Sequence, residues 1–435
     1  MKNKRKIIGI LLTIFILVFY FPLHSYSNYK DNSLKNYYGI CLTPGEDETM
    51  LNFSWYSNKK NDSEIKIWEK NKNVKIHSGK YIKLHDNFIS NKVTVVNLKD
   101  NTTYYYSYKC NGEWSKPIKY KTKNSKSFTF AFMGDPQIGA SCKKRNSIKK
   151  GIKEDSLSWN RVVNNVLKRN KDISFIICAG DETNETENEK KNNTSDLEYL
   201  GFLSPICLQY TPLANAIGNH DKDNENFYNH FYMPNLSNLG KTVAGGDYYF
   251  TYGNTIFLFL NTNNLNIKEH EKFIEKSLNE NINKKWRIVC FHHDIYGDGI
   301  HKNELDIEIL RQLLPTILEK NKIDLVLCGH DHIYSRTYPL KNNKKTKDII
   351  NKRFYNNEKI EEINNPQGVI YITGGTSTGS KFYKSIDKKE EYVKFKYDKK
   401  NPVYTIININ ENKIIISTHT VDNNEMIDNK VIITK

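Results

Sequence analysis

The sequence is poor in the residues that mark fibrous or low-complexity chains. Its 11 prolines and 22 glycines in 435 residues exclude collagen-like and Pro/Gly-rich material. It has no Cys-x-x-Cys pair, so cysteine zinc sites and thioredoxin-like chemistry drop out. The seven cysteines are an odd number and cannot all pair within one chain; Cys41 and Cys110 remain a candidate bridge. Cys178, Cys290 and Cys328 sit in apolar strand-like runs and read as small core residues. There is no internal repeat and no long basic run after the first few residues. The formal charge of +16 is therefore read as lysines solvating the surface, with an anionic partner left open. Nucleic-acid binding is not expected, because aromatics interleaved on a basic stripe are missing.

What is present suffices for a core. Hydrophobic residues make up 38% of the chain and aromatics 12%, with 28 tyrosines, which excludes wholesale disorder and favours strands. A chain of 435 residues is expected to hold two or more domains. Lys2, Lys4, Arg5 and Lys6 precede an uncharged apolar run over residues 7–23, the pattern of an export leader and close to membrane-spanning length. His24-Ser25-Tyr26-Ser27 is not a small-residue cleavage site. Residues 1–28 are thus expected to be a signal peptide or an N-terminal membrane anchor, leaving the chain secreted or held on the outer face of the membrane.

Leu51, Phe53 and Trp55 alternate with Asn52 and Ser54, as in a half-buried strand. Runs over 92–96, 103–108 and 116–120, parted by Asn, Asp and Gly, carry no helical period. Residues 35–124 are expected to form an all-β sandwich, and the stretch from Leu98 to Tyr106 resembles the corner of a fibronectin type III-like module. Beyond Ser125-Lys126-Ser127 the pattern changes. Apolar strands over 128–133, 173–178, 213–217, 286–291 and 324–328 alternate with helical stretches. One helix carries Trp159, Val162, Val163 and Val166 behind Asp155-Ser156 as cap; others cover 268–281 and 304–318. Residues 127–435 are therefore an α/β domain, with a hairpin over 248–260 and a return to strands after Gly368. The Lys/Asn/Glu-rich stretch over 341–366 is expected to be a long surface loop.

Five apolar strands end in small polar clusters: Gly134-Asp135, Gly180-Asp181, Gly218-Asn219-His220-Asp221, His292-His293 and Gly329-His330-Asp331-His332. Loops after strand ends are where α/β folds gather ligands. Carboxylate, amide and imidazole supply the oxygen and nitrogen donors that suit zinc, iron or manganese. One Gly-Asp at a strand end is ordinarily a turn. Five such clusters in succession are not explained by turns.

In this order the clusters resemble the calcineurin-like metallophosphoesterase superfamily, most closely its purple acid phosphatase branch, over about residues 128–337. The resemblance implies a metallophosphoesterase ββ-sandwich flanked by helices and preceded by an all-β sandwich domain. It implies two divalent or mixed-valence metal ions, Fe, Zn or Mn, and makes Asp181 the carboxylate shared between them. Asp135 and His332 would complete one site, and Asn219, His292 and His330 the other. The activity implied is hydrolysis of phosphate monoesters by a metal-bound hydroxide, with no phosphoenzyme. His220, beside a ligand but not needed as one, is read as general acid and phosphate donor, with Asp221 orienting it. His301, nine residues past His292, falls where the family places substrate-facing histidines. Phosphodiesters or nucleotides are the alternative substrates. A reading of another class is a surface-attached binding protein, its sandwich on an anionic cell-surface polymer or membrane and its α/β domain degenerate. Six intact candidate ligands speak against that.

The chain departs from the family pattern at two places. The iron-binding tyrosine falls on Asn184, which removes the phenolate and its colour and disfavours ferric iron; Asn184 is kept as a weak ligand or phosphate contact. Gln137 stands where many members carry a ligating histidine, and reads as a hydrogen-bonding partner behind the ligands. In His292-His293 only one ring can follow the strand inward, so His293 is expected to face substrate or solvent. Tyr296, four residues past His292, matches a family aromatic or is packing, and His77, His85, His230 and His270 read as structural.

Overall fold

The computed structural model describes residues 39–84, 88–184, 195–356, 358–385 and 390–435. The leader expected over residues 1–28 lies outside them. The expected anchoring on the outer face of a membrane is corrected here: among the described residues no helix is long and apolar enough to cross a bilayer.

The alternation in the N-terminal region produces two antiparallel sheets. One runs in the order Cys41–Pro44, Leu51–Ser57, Ile89–Val95, Lys80–Lys83. The other runs Lys75–Ser78, Glu64–Glu69, Thr103–Cys110, with Ile118–Lys121 also pairing to Thr103–Cys110. Phe53, Trp55 and Val93 from the first bury against Ile65, Ile67, Tyr106 and Tyr108 from the second. The Tyr104 hydroxyl accepts from Lys99 N at 2.9 Å, closing the corner. Cys41 and Cys110 do not bridge, and all seven cysteines are free. They sit on strands of opposite sheets, with Cys41 turned to Leu42 O and Cys110 to Tyr56 O.

Two sheets face each other in the α/β region. The eight-stranded sheet runs Leu213–Asn215, Ile173–Cys178, Phe128–Met133, Val403–Ile409, Lys413–Thr420, Lys430–Thr434, Glu358–Asn364, Ile350–Tyr355. The seven-stranded sheet runs Tyr248–Tyr252, Thr255–Leu260, Trp286–Phe291, Leu325–Cys328, Ile370–Thr373, Tyr334–Thr337, Val393–Tyr397. Their inner faces meet through edge-on aromatics, Phe130 on Phe257 and Phe175 on Phe250, both with centroids at 5.4 Å. Helices Ile148–Arg169 and Ser195–Phe202 cover the first sheet, with Trp159 stacked on Phe202 at 5.1 Å. Helices Ile267–Glu280 and Leu305–Lys320 cover the second through Phe273, Ile274, Leu310 and Leu314.

Two expectations change. Helix Ile148–Arg169 starts a full two turns earlier than its apolar face suggested, capped by the Ser147 side chain on Lys150 N. Asp155 is interior; its carboxylate accepts from Gly139 N and Ser141 N, each at 3.0 Å, and from the Ser141 hydroxyl, which fastens the loop after Phe128–Met133. The 341–366 stretch is no loop. Ile350–Tyr355 and Glu358–Asn364 pair as a hairpin, and the latter lies parallel to Lys430–Thr434. Its outer strand is solvated on both faces, so no alternation marks it.

Candidate metal centre

Phe128–Met133, Ile173–Cys178 and Leu213–Asn215 are parallel in one sheet, and Trp286–Phe291 and Leu325–Cys328 in the other. All five strand-end clusters therefore reach a common rim, where such folds bind ligands. The chain turns sharply there. Asp135 (φ 41°), Gln137 (40°), Asp181 (52°), His330 (72°) and His332 (55°) all lie in the left-handed region, at a cost of about 1–2 kcal/mol each. The glycine before Asn219 is required by space: a Cβ on Gly218 would lie 2.1 Å from Asp181 Oδ1.

The rim brings the six sequence-predicted ligands together. His292 Nε2 lies 2.8 Å from Asn219 Oδ1, 3.1 Å from His330 Nδ1 and 3.4 Å from Asp181 Oδ1. His330 Nδ1 is 3.1 Å from Asn219 Oδ1. On the other side of Asp181, His332 Nε2 faces Asp135 Oδ1 at 3.7 Å, and Asp135 Oδ1 accepts His330 N at 2.8 Å. Asp181 is held at both oxygens, Oδ1 by His220 N at 3.0 Å and Oδ2 by Gln137 Nε2 at 3.1 Å.

Protonation decides what these atoms can do. Burial pushes His292 down to about 4 and His332 down to about 3, so both rings are neutral near neutral pH. Each has its Nδ1 on a carbonyl, His292 on Ala179 O and His332 on Lys381 O, both at 2.8 Å. The proton thus sits on Nδ1, and each Nε2 turns a lone pair toward oxygen. Burial works against ionisation of Asp181, yet His292, His220 and the His220 N–H hold it below the usual carboxylate range. Burial and Asp181 push Asp135 up. Asp135 Oδ2, His330 Nε2 and His332 Nε2 are buried without a hydrogen-bond partner. Lone pairs converging on lone pairs in a buried site are unfavourable unless a cation lies between them. The donor set fits metal ions.

The remaining candidates are placed unequally. His220 Nδ1 is 3.2 Å from Asn184 O, and its Nε2 lies 3.9 Å from Asp181 Oδ2. Asp221 does not orient that ring. Its Oδ2 accepts Asp181 N at 2.8 Å and Gly218 N at 3.0 Å, and its Oδ1 accepts the Thr183 and Tyr199 hydroxyls, so it braces the two turns. Asn184 meets His220 through its carbonyl and donates its N–H to Glu198 and Ile138. His301 does reach the rim, its ring 4.5 Å from that of His330 and its Nδ1 on the Glu304 carboxylate. His293 is corrected: it is 2% exposed, with Nδ1 2.7 Å from the Thr262 hydroxyl, because the strand end turns it beneath His330 rather than outward. Tyr296 packs on Tyr371 and Tyr392. His270 pairs with Asp247 at 2.7 Å, away from the rim.

Two residues at the rim went unread in the sequence. Glu304, pushed down to about 2 by the His330 ring 3.9 Å away and then by His301, against partial burial, forms a carboxyl–imidazole cluster with His301 and His330. In the sequence it is only the start of a helix. Tyr383 lies across His301 and His332, with centroids at 4.7 and 4.5 Å. It comes from a segment with no motif around it, and nothing in the sequence marks it.

The two facing sheets and their ligand-lined rim coincide with residues 128–334, which match the calcineurin-like phosphoesterase family. Residues 38–122 match the purple acid phosphatase N-terminal domain. The chain thus carries a calcineurin-like phosphoesterase domain preceded by a purple acid phosphatase N-terminal domain. It is similar to an uncharacterized protein of Mycobacterium tuberculosis, 23% identical over 188 residues, 40% of this chain and 34% of that one. It is similar to purple acid phosphatase 7 of Arabidopsis thaliana, 28% identical over 193 residues, 37% of this chain and 55% of that one. The matched segments thus span about a third to about half the length of these curated relatives. Among solved structures, purple acid phosphatase PPD1 from yellow lupin seeds superposes with a TM-score of 0.68 at 16% identity, covering 91% of this chain and 74% of that one. PhoD gives 0.57 at 12% identity, covering 91% and 88%.

Proposed function

We propose that the chain hydrolyses phosphate monoesters at a two-metal centre. The convergence of Asn219 Oδ1, His292 Nε2 and His330 Nδ1 within 3.1 Å of one another carries this reading, since Asn219 Oδ1 and the unprotonated His292 Nε2 turn lone pairs on each other at 2.8 Å. Asn219, His292 and His330 would hold one ion and Asp135 and His332 the other, with Asp181 shared. Two such ions supply charge for the phosphate oxygens and an activated water. Their identity is Fe, Zn or Mn, with divalent ions favoured because Asn184 offers no phenolate.

The chain's own groups supply the rest. With its Nδ1 turned to Asn184 O, His220 keeps Nε2 toward the cluster, where a proton is needed by the departing alkoxide. Gln137 and the His220 N–H fix both oxygens of Asp181. His301, steadied by Glu304, stands beside His330 as a phosphate contact. We divide the chain into a sandwich over 35–124 and a catalytic domain over 127–435.

The test is p-nitrophenyl phosphate hydrolysis by the full chain before and after metal is stripped. The expected result is activity lost to chelator, restored by Mn, Fe or Zn, and absent in Asp181→Asn. A preference for bis(p-nitrophenyl) phosphate would replace the monoesterase reading by a diesterase one. No hydrolysis of either substrate with any metal would overturn it.

A further inference from the structure

Three strands of one sheet of the N-terminal sandwich, Cys41–Pro44, Leu51–Ser57 and Ile89–Val95, are buried on both faces. Their outer side carries Thr43, Asn52, Ser54, Ser90 and Lys92, none more than 4% exposed, where a free sandwich would meet water. Each of them ends on a main-chain carbonyl of residues 228–232 in the catalytic domain. The Thr43 hydroxyl and Asn52 Nδ2 donate to Tyr232 O at 2.7 and 3.1 Å. The Ser54 hydroxyl donates to His230 O, and that of Ser90 to Asn229 O at 2.6 Å. Lys92 Nζ donates to Tyr228 O, Asn229 O and Phe231 O at 2.9, 3.0 and 2.8 Å. These carbonyls close the short helix Asn226–His230, and helix ends leave carbonyls without partners inside the helix. Here the partners come from another domain, and the central one is the buried Lys92 Nζ, which desolvation pulls down to about 7.

The clamped segment leads back to the rim. Between Asp221 and the helix Asn226–His230 lie only residues 222–225. The His230 ring is sandwiched by Tyr56 of the N-terminal domain at 4.5 Å and by Tyr199 at 4.7 Å. The Tyr199 hydroxyl donates to Asp221 Oδ1 at 2.9 Å, and Asp221 Oδ2 accepts the backbone N–H of Asp181 and of Gly218. A continuous buried path thus joins the sandwich to the two turns that carry Asp181 and Asn219.

We propose that the N-terminal sandwich is a positioning element of the metal centre, acting through the Lys92 carbonyl clamp and the Tyr56–His230–Tyr199–Asp221 stack. Groups behind metal ligands set their geometry, and removing one costs on the order of 10–100-fold in metal affinity or activity. The sandwich is then more than a tether: its docked position fixes where Asn219 meets His292.

The test uses the full chain, stripped of metal and titrated with Mn2+ in a calorimeter. Lys92→Met, folded by circular dichroism, should bind its weaker Mn2+ on the order of 10-fold less tightly, with kcat for p-nitrophenyl phosphate falling more than KM rises. Lys92→Arg, which keeps N–H donors, should recover part of both. If Lys92→Met does not fold, Tyr199→Phe removes the hydroxyl on Asp221, keeps the ring stack, and is read the same way. A folded Lys92→Met or Tyr199→Phe with parental Mn2+ affinity and kcat, and only a lower melting temperature, would overturn the proposal. Because Mn2+ affinity is read without turnover, a parent chain inactive on phosphate esters would sink the proposed function and leave this arm standing.

Discussion

In the sandwich, every described non-glycine residue at positive φ is an asparagine: Asn71, Asn97, Asn101 and Asn111, the residue type that tolerates that conformation best. In the catalytic domain, six described residues of other types adopt it: Asp135, Gln137, Asp181, Lys322, His330 and His332. All but Lys322 ring the candidate metal centre. Buried acids divide the same way. Asp62 in the sandwich accepts Asn111 N at 2.6 Å and Gly112 N at 2.9 Å. Asp135 Oδ2 at the rim has no partner, and burial together with Asp331 pushes Asp294 up to about 8. The sandwich confines positive φ to the residue type that bears it best and pairs buried Asp62 with two backbone N–H groups. The catalytic domain gathers five such strained residues around unpartnered carboxylate and imidazole atoms, which is how a site built to hold charge differs from the scaffold beside it.

The largest expected effect lies at the rim. His220→Ala should slow alkyl phosphates, whose leaving groups need a proton, by on the order of 100-fold or more, and p-nitrophenyl phosphate much less. Equal losses on both substrates would remove the general-acid role. A smaller effect concerns pH. Folded Asp294 holds a proton up to about pH 8 that an ordinary carboxyl, at 3.8, releases. Folding therefore binds protons between those values, and the stability of the metal-free chain should fall as pH rises across them. Asp294→Asn should flatten that slope in urea unfolding at pH 5, 6.5 and 8; an unchanged slope would place the unmatched charge elsewhere. Smallest is Lys322, exposed at the end of helix Leu305–Lys320, with its N–H on Glu319 O and that of Ile323 on Leu318 O. Lys322→Gly should raise stability by about 1 kcal/mol at parental activity, since its strain serves only a helix end.

Much of the fold was legible because it is written in local periods. Alternation at 51–55 and continuous apolar strands between helical stretches suffice for a sandwich followed by an α/β domain. The strand-end clusters were legible because each sets metal-binding residue types directly after an apolar strand, four of the five behind a glycine. What could not be read depends on partners distant in sequence. Asp221 looks like a companion of His220 by adjacency, yet its carboxylate turns to Asp181 and Tyr199. His293 looks free beside His292 until Thr262 is seen against it. Glu304 and Tyr383 gain meaning only from His301 and His332 across the rim. Asp155 reads as a helix cap and is instead an anchor for the loop that follows Asp135.

The strand that delivers Asp135 has a consequence for how the molecule is assembled. Phe128–Met133 is flanked on one side by Ile173–Cys178 and on the other by Val403–Ile409, and Asn408 Nδ2 donates to Phe128 O across 280 positions of sequence. Closing so large a loop is entropically costly and slow. Until it closes, Phe128–Met133 presents an apolar edge with unpaired amides, open to pairing with any other chain. Refolding yield should therefore depend steeply on protein concentration.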